Sequence, residues 1–374
     1  MADLPLIVGG GPVGLAAALF LARDGVATRV VEKVAERPPW SRALAVNPRT
    51  LSLLKSTGVA DRIVELGIPI AGGCVWRHGK ELARIEFPQI DGQSPRLIAL
   101  SQAATERLLH EALRSAGGGV EYGVELTDCR LQPFGPEATL RRGEQTETVR
   151  PPWLFAADGA RSCVRQSMGI PMQGDAMQRP WNLVDVALDT SLEGDRAHIT
   201  FLDDGLLFLI RVVDDRLPGN IWRVMGNVAD PLSRLPAGKP IGEPVWTSSF
   251  RIVHRLAGRL GDGTIYLAGD AAHLHSPFGA RGMNLGIEDA WTFAELLRQG
   301  RAQAYGPLRR RIDGAVVNRI RRLTNVAVGE SAITRTLRRE VVRVVPHVEF
   351  LRQAFARTAM GLDHRLEVGS PEPV

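Results

Sequence analysis

The first 31 residues contain two segments of strand-like pattern with a segment of helical spacing between them. Residues 4–8 are an apolar run of strand length, residues 28–31 (Thr-Arg-Val-Val) have the composition of a second strand, and residues 12–23 between them carry small and apolar side chains at helical spacing. Pro12 suits the first turn of a helix, and Gly25 suits the position just after its end. The pattern predicts a βαβ unit whose two strands pair in parallel.

Strand-like patterns dominate two later parts of the chain. Residues 73–88 predict a hairpin with its turn near Gly79, and residues 176–250 predict several antiparallel strands. The strands expected in the second part are residues 183–188, 197–202, 206–213 and 221–228. Helical patterns cover residues 48–57, 102–115 and most of the chain after 285.

This order of elements predicts an α/β domain that is interrupted twice by antiparallel sheet. We expect the two insertions to come together as one second domain. The expected boundaries are 1–72, 96–175 and 251–330 for the first domain, 73–95 and 176–250 for the second, and 331–374 for a C-terminal helical segment.

The bulk composition is that of an ordinary globular protein. Apolar residues make up 44% and charged residues 23% of 374 positions, enough for two or three domains. Cys74, Cys129 and Cys163 are far apart, so neither a disulfide framework nor a cysteine metal site is expected. A reducing, cytoplasmic location fits best, because the sequence shows neither a signal-peptide pattern nor a run of about 18 apolar residues.

Positive charge is concentrated near the C-terminus. The net charge is +5, but residues 298–374 carry 15 arginines against seven acidic residues. We interpret this segment mainly as a solvated helical face. No aromatic platform accompanies the arginines, so nucleic acid is not an expected partner. Attraction of an anionic cofactor and peripheral contact with a membrane remain open alternatives.

A glycine-rich turn joins the first predicted strand to the first helix. Gly9, Gly11 and Gly14 have GxGxxG spacing, which permits a tight turn and leaves backbone N–H groups available for a pyrophosphate. Glu32 lies 18 residues after Gly14, where a carboxylate can accept hydrogen bonds from a ribose diol. The combination predicts a dinucleotide site, and the acid favours FAD or NAD over NADP in it.

Two further motifs place aspartates at the ends of predicted strands. Asp158 and Gly159 end one strand, and Gly269 and Asp270 follow another. Asp270 suits hydrogen bonding to a polyol such as the ribityl chain of a flavin. Capping of a helix is the alternative role for this aspartate.

The segment Pro277–Asn284 is a glycine-rich loop before a helix that is predicted to begin near Leu285. Gly279 and Gly282 permit close approach of a ligand, and Arg281 adds positive charge. Backbone N–H groups at the start of a helix would stabilise negative charge at N1 and C2=O of a reduced flavin.

His273 and His275 have the spacing of a pair of metal ligands. No carboxylate or thiol partner stands out in the sequence, so we interpret both as structural and expect no metal site.

Together these motifs resemble the fingerprints of class A flavoprotein monooxygenases, the para-hydroxybenzoate hydroxylase-like family. The segment 41–50 resembles the family's arginine-bearing segment beside the isoalloxazine, and 100–102 resembles its ribityl-contacting segment. Further similarity lies in Tyr305, Arg309, Arg310 and the segment 360–363. The resemblance implies an α/β fold with a Rossmann-like FAD-binding domain, an antiparallel β-sheet substrate domain and C-terminal helices.

The resemblance also implies an activity. FAD is bound permanently, NADPH or NADH reduces it transiently, and O₂ adds at flavin C4a to give the hydroperoxide that hydroxylates a ring. Arg42, Pro277 and Arg281 would tune the flavin, and no side chain is assigned as a base. The expected cofactor contacts are Gly9, Gly11, Pro12, Gly14, Glu32, Lys33, Arg42, Gln102, Leu126, Asp158, Gly159, Gly269, Asp270, Gly279, Gly282, Met283 and Asn284.

Departures from the family favour a hydrophobic aromatic or polycyclic substrate. Val212 falls where the benzoate hydroxylase has its carboxylate-binding arginine. The family's phenol-deprotonating tyrosines are missing, because the three tyrosines of the chain lie outside the predicted substrate sheet. The candidate pocket residues are Ile210, Val212, Trp222 and Val224.

Several alternatives stay open on the sequence alone. His198 and His254 are conceivable bases, although His254 is expected to pack in a helix before the Asp270 strand. The basic segment 335–360 motivates a membrane-associated quinone-precursor hydroxylase or a prenyl reductase-like flavoenzyme. The missing tyrosines motivate an FAD-binding protein without oxygenase activity. The oligomeric state stays open.

Overall fold

The structure is a computed structural model and describes residues 3–37, 43–87, 97–328, 349–366 and 368. The helices of these residues are α1 Pro12–Arg23, α2 Pro48–Leu54, α3 Val59–Leu66, α4 Gln102–Ser115, α5 Cys163–Ser167, α6 Gly282–Arg298, α7 Tyr305–Val328 and α8 Glu349–Ala359. Short 3₁₀ turns lie at Lys55–Thr57, Leu232–Arg234, Gly269–Ala271 and Ala302–Ala304.

The strands of the described residues are short at the N-terminus and long in the middle of the chain. In chain order they are β1 Leu6–Val8, β2 Arg29–Glu32, β3 Ala45–Val46, β4 Ile68–Ile70, β5 Gly72–Arg77, β6 Lys80–Glu86, β7 Leu97–Ala99, β8 Glu121–Tyr122, β9 Glu125–Gln132, β10 Gly135–Arg142, β11 Gln145–Val149, β12 Leu154–Ala156, β13 Met172–Asp189, β14 Arg196–Phe201, β15 Leu206–Arg211, β16 Ile221–Gly226, β17 Lys239–Ala257, β18 Gly261–Asp262, β19 Ile265–Leu267 and β20 His273–Leu274.

A six-stranded sheet forms the centre of the first domain, in the order β18-β19-β12-β1-β2-β8. Strand β1 pairs in parallel with both β2 and β12, which confirms the predicted βαβ unit. Helix α1 packs against α4 and α6. Its Ala16, Ala17 and Ala18 are fully buried, and such small side chains permit close packing against these neighbours.

The two predicted insertions contribute strands to one eight-stranded sheet, in the order β20-β17-β13-β16-β15-β14-β5-β6. The hairpin β5–β6 joins the rest of this sheet through a parallel pairing with β14, where Gly72 lies opposite Arg196. Strand β13 begins before the expected interval 176–250, at Met172, and strand β17 ends after it, at Ala257. The sheet therefore includes residues that we expected to belong to the first domain.

Two local predictions are wrong. His254 lies in strand β17, not in a helix, because residues 250–256 alternate between buried and more exposed positions with the two-residue period of a strand. Helix α6 begins at Gly282, not near Leu285, so the last glycine of the loop is already the first helical residue. Arg281 is consequently the N-cap residue of α6.

Smaller sheets and a long C-terminal helix complete the described structure. One three-stranded sheet has the order β11-β10-β9 and another the order β3-β7-β4. Helix α7 has 24 residues and packs against α6 and β17. Across the described ranges, no helix combines the length and the apolar character that a membrane span requires. Most of the basic segment 335–360 lies outside the described residues.

Candidate functional site

Two glycines of the glycine-rich turn are required by the packing of the protein, and a third has free space beside it. Gly9 has φ +107°, and a Cβ there would overlap the carbonyl of Ala157 on the neighbouring strand. A Cβ on Gly14 would overlap the carbonyl oxygen of Gly9. A Cβ on Gly11 would meet no protein atom within 4 Å. The space beside Gly11 is therefore available to a ligand at the N-terminus of α1.

Glu32 ends β2 beside this turn. Its carboxylate accepts hydrogen bonds from the backbone N–H of Gly10 at 2.7 Å and of Val34 at 3.0 Å. These bonds fix the carboxylate at the rim of the cavity while leaving lone pairs for a further donor.

A cavity of about 400 Å³ extends from the glycine turn. Most of the predicted cofactor contacts line it, namely Gly9, Gly11, Pro12, Glu32, Lys33, Gln102, Leu126, Asp158, Gly159, Gly269, Asp270, Gly282 and Met283. Two other lining residues were not predicted: Val124, for which the sequence offers no distinctive motif, and Arg161, which lies in the same motif as Asp158 and Gly159.

Asp158 gives this cavity an acceptor that the described protein does not use. Its Oδ2 accepts from the backbone N–H of Val164 at 3.2 Å, while its Oδ1 is buried with no hydrogen-bond partner in the described part of the chain. Burial raises the pKa of Asp158 above its ordinary value. An unsatisfied buried carboxylate oxygen is the kind of group that a ligand hydroxyl or N–H would satisfy.

A second and larger cavity of about 1550 Å³ adjoins the first. The two cavities share Gln102, Asp270, Gly282 and Met283 as lining residues. The larger cavity lies between the loop 276–282 and one face of the eight-stranded sheet. A ligand could therefore extend from the nucleotide turn to the wall of the second domain.

The sheet wall of the larger cavity is almost entirely apolar. Of the four predicted substrate residues, only Ile210 lines this cavity. Trp222 and Val224 pack in a core cluster on the opposite face of the sheet, and Val212 packs in the core around Leu44 and Ile221. The residues that line the wall instead include Leu183, Ala197, Ile199, Phe201, Phe208, Arg223 and Met225.

The placement of Trp222 and Val224 on the face away from the cavity has a simple physical cause. Alternate residues of a strand face opposite sides, and both sides of this sheet carry large apolar residues. A pattern that is apolar on both faces cannot tell which face lines a cavity. Arg223 was the available signal, because a charged residue in such a strand marks one face as different from the other.

Arg223 and Asp185 form an ion pair within the cavity-facing half of the sheet. Nε of Arg223 donates to Asp185 Oδ1 at 2.8 Å, and a terminal nitrogen donates to Oδ2 at 2.6 Å. Both residues are 1% exposed, and the guanidinium lies 5.0 Å from the ring centre of Trp246. Arg223 thus adds a paired charge to a wall that is mainly apolar and that Arg251 of β17 also lines.

The flavin loop predicted from sequence lies where the two cavities meet. Pro277, Gly279 and Arg281 line the larger cavity, and the left-handed φ of +78° at Gly279 suits glycine. Arg281 is 1% exposed, and its three side-chain nitrogens have no hydrogen-bond partner among the described residues. Burial is the main cause that lowers the pKa of Arg281. Arg42, the remaining predicted flavin-tuning residue, lies outside the described residues.

Gly14 and Asn284 are the predicted cofactor contacts that line neither cavity. The Asn284 amide accepts from the backbone N–H of Asn47 at 3.0 Å and donates to the carbonyls of Ala45 and Ala280 at 2.9 and 2.6 Å. Asn284 therefore fastens the start of α2 to the flavin loop, and Gly14 serves the packing of α1 against β1. The structure thus shows a supporting role for each, and their contact with a cofactor remains a prediction.

A fully buried charge network lies beneath the loop that carries Asp270. The guanidinium of Arg309 contacts Glu288, Asp289 and Asp313, each at 2.6 Å. Asp289 also accepts from the backbone N–H of Gly269 at 2.9 Å. The network thus connects α6 and α7 to the cofactor loop.

His273 belongs to this network and not to a metal pair with His275. Its Nε2 lies 2.8 Å from Asp289 Oδ2. Burial would lower the pKa of His273, but the carboxylates of Asp289 and Asp313 outweigh burial and raise it to about 9. These three residues have metal-ligand types within 4.8 Å of one another. Arg309 already supplies positive charge to both carboxylates, so we assign no metal here.

His198, one of the two conceivable bases, and His275, which was expected to be structural, have different surroundings. His198 receives the indole N–H of Trp76 at 3.1 Å and lies 2.9 Å from the carbonyl of Glu193, so both ring nitrogens are engaged. His275 lines the larger cavity, and its Nε2 is buried without a partner among the described residues. Burial is the main cause that lowers the pKa of His275, to about 3, which keeps the ring neutral.

The C-terminal segment supplies a wall of the larger cavity that the sequence did not predict. Asp363 and His364 line the cavity, and Arg49 donates to the carbonyls of Gly361 and His364. His364 Nε2 lies 2.7 Å from Glu288 Oε1, so this segment is tied to the buried network. Such contacts join residues far apart in the chain, and no local motif predicts them.

Comparison with known proteins agrees with this geometry. Residues 5–204 and 231–319 match the family model for the FAD binding domain. The chain is 38% identical over 315 residues to 6-methylpretetramide 4-monooxygenase of Streptomyces rimosus, which covers 78% of this chain and 56% of that protein. It is 31% identical over 307 residues to pentachlorophenol 4-monooxygenase of Sphingobium chlorophenolicum, which covers 76% of this chain and 56% of that protein.

The chain spans little more than half the length of these two relatives. A solved structure, p-nitrophenol 4-monooxygenase PnpA from Pseudomonas putida DLL-E4, shares the fold with a TM-score of 0.86 at 23% identity, covering 98% of this chain and 100% of that chain. The family model matches well over half of the residues, and the three sequence motifs converge on one cavity. The chain therefore belongs to the FAD-binding-domain flavoproteins of the para-hydroxybenzoate hydroxylase-like, class A monooxygenase family.

Proposed function

We propose that this protein is an FAD-dependent monooxygenase that uses NADPH or NADH and O₂ to hydroxylate a hydrophobic aromatic or polycyclic substrate. The observation that carries the proposal is the junction of the two cavities. A nucleotide-type cavity and a larger apolar cavity meet at Gln102, Asp270, Gly282 and Met283. A cofactor lying across the junction would present its reactive end to the apolar cavity.

The residues present fit FAD. Space beside Gly11 would hold the pyrophosphate, the fixed carboxylate of Glu32 would accept from the ribose, and the unsatisfied oxygen of Asp158 would accept from a ligand donor. The cofactor supplies hydride acceptance and oxygen activation when bound. Gln102, Asp270 and the start of α6 would lie along its ribityl chain and ring system.

The protein's own contribution is orientation and exclusion of water. The sheet wall offers Ile199, Phe208, Ile210 and Met225 to the substrate. Apolar walls keep a reactive intermediate from being lost to water, and they bind a flat ring through buried area. The volume of about 1550 Å³ exceeds the roughly 300–1,000 Å³ of common small-ligand pockets, which favours a large ring system beside the cofactor.

The relatives support the reaction type. The names of two relatives describe monooxygenation of 6-methylpretetramide and of pentachlorophenol. We carry over the monooxygenase activity and leave those individual substrates to the relatives. Flavin tuning by Pro277, Arg281 and Arg42 remains part of the proposal, as do the expected domain boundaries.

The test is anaerobic reduction of the purified FAD-loaded protein by NADPH and by NADH, followed through the visible absorbance of oxidised flavin. A panel of phenols and hydroxyquinones should accelerate bleaching for one ligand class, and oxygen should then yield a hydroxylated product. Gly11→Ala is the matched control, because the added Cβ meets no protein atom within 4 Å but occupies the proposed pyrophosphate space. Protein that binds FAD but is bleached by neither nucleotide would contradict the proposal.

A further inference from the structure

Arg281 has an unusual electrostatic position. It is the N-cap residue of α6, lines the larger cavity and is 1% exposed. The ion-pair partner that the structure shows for it among the described residues is Asp363, with NH2 and Oδ1 3.4 Å apart. A buried guanidinium with unsatisfied nitrogens, at the positive end of a helix, marks a place for an electron-rich group.

Asp363 is held firmly from its other sides. Arg319 contacts both its carboxylate and its backbone carbonyl, and Nδ1 of His364 lies 3.2 Å from Oδ1. The side chain of Asp363 is 4% exposed. Gly361 in the same segment lies directly against Arg281, where a Cβ would crowd the guanidinium. The segment 361–364 therefore fixes both the charge beside Arg281 and the space that Arg281 can occupy.

We propose that Asp363 is a positioning residue that holds the Arg281 guanidinium beside the flavin loop and offsets its charge, so that the C-terminal segment sets the electrostatic potential at the start of α6. The proposal rests on the proposed FAD site. It differs from a purely structural role in its consequence, because a structural anchor would not change the electron affinity of the bound cofactor.

The sign of the effect follows from the charges. Asp363→Asn removes a buried negative charge while keeping the side-chain shape, and it leaves the positive charge of Arg281 less compensated. Reduced flavin carries more negative charge than oxidised flavin, so its binding is favoured. We expect reduced FAD to be favoured over oxidised FAD by about tenfold relative to the unmodified protein, which for a two-electron couple is a rise of about 30 mV in midpoint potential.

The experiment measures the midpoint potential of the bound flavin by dye equilibration in four proteins: unmodified, Asp363→Asn, Arg281→Met and the double variant. In the Arg281→Met background, Asp363→Asn removes only the field of the carboxylate itself and releases no guanidinium from its position, so it should shift the potential by well under half as much. Arg319→Gln is the matched control. It loosens Asp363 from the opposite side without removing the carboxylate, and it should not raise the potential.

Each outcome decides the proposal. A rise that depends on Arg281 supports it. An absent rise, an equal rise in both backgrounds or an equal rise in Arg319→Gln overturns it. If Asp363→Asn does not fold, Asp363→Glu replaces it: retention of the potential within half of the expected shift supports the charge role, and a full shift overturns it. Unmodified protein that binds no FAD, measured by quenching of flavin fluorescence, overturns the proposed function and this inference together.

Discussion

Two equally buried arginines lie within one small region and have opposite surroundings. Arg309 is 0% exposed and contacts three carboxylates at 2.6 Å. Arg281 is 1% exposed and, within the described ranges, has one carboxylate partner, Asp363 at 3.4 Å. Acidic partners raise the pKa of Arg309 although burial opposes them, whereas burial lowers the pKa of Arg281. The comparison distinguishes Arg309, whose charge is neutralised within the fold, from Arg281, whose charge the proposed function assigns to the cofactor.

Replacement of the satisfied arginine should have the largest effect. Arg309→Met leaves Glu288, Asp289 and Asp313 buried without their shared cation. Removing one partner of a buried ion pair costs about 3–5 kcal/mol. We expect a loss of at least that size in the free energy of unfolding, measured by urea denaturation. A loss below about 1 kcal/mol would contradict the assignment of Arg309 as a structural charge.

A third buried arginine sharpens the comparison from the substrate side. Arg223→Leu alone leaves the Asp185 carboxylate buried without its cation and should lower the free energy of unfolding by about 3–5 kcal/mol. The Asp185→Leu and Arg223→Leu double variant should be as stable as the unmodified protein or more stable. The double variant should still bind FAD, because neither residue lines the smaller, nucleotide-type cavity and only Arg223 lines the larger one. The ratio of its turnover of hydroxylated rings to its turnover of the corresponding methyl ethers should be lower than in the unmodified protein. Unchanged discrimination would show that the pair serves the sheet and not the substrate.

The buried network also predicts a dependence on pH. The pKa of His273 is raised from 6.5 to about 9, so the folded protein binds more protons than the unfolded chain between these values. The stability that His273 contributes is full below about pH 6.5 and is lost as the pH rises through about 9, with a slope of about 1.4 kcal/mol per pH unit. His273→Gln should remove that slope from denaturation curves collected across this window. A slope that survives the substitution must come from another group.

Replacement of the unsatisfied arginine should have the smallest effect on the fold. Arg281→Met leaves Asp363 with Arg319 and His364, so the free energy of unfolding should change by less than about 1 kcal/mol. Affinity for FAD, titrated by fluorescence quenching, should fall by about tenfold through the lost charge near the flavin loop. Loss of stability comparable to Arg309→Met would remove the distinction between the two arginines.

The sequence predicted the parts of the fold that depend on local chemistry. The glycine spacing at Gly9, the acid at Glu32 and the boundaries of α1 follow from turns, caps and short-range spacing, and α4 was predicted residue for residue. The family and its fold were predicted as well. The turn, the acid and the two helices are each encoded by residues that are close to one another in the chain.

The remainder depends on contacts between distant parts of the chain. Whether Trp222 or Arg223 faces the cavity is decided by the packing of both faces of the sheet, which a single strand does not encode. The contact of His364 with Glu288 joins residues 76 positions apart. Helix α6 begins three residues before the expected start, and Asn284 in its first turn is held by backbone groups of Ala45 and Asn47, about 240 positions away.

The parallel pairing of β5 with β14 has a consequence for how the chain folds. Gly72 and Arg196 are neighbours in the sheet, so the edge hairpin β5–β6 can join the sheet only after a strand more than a hundred residues later in the chain is in place. Non-local pairings of this kind are formed slowly, because loop-closure entropy must be overcome before the contacts stabilise anything. During synthesis, the hairpin leaves the ribosome well before its partner strand exists. Refolding from denaturant should therefore show the βαβ unit forming first and the substrate sheet closing last, with the hairpin as the segment most exposed to aggregation in the interval.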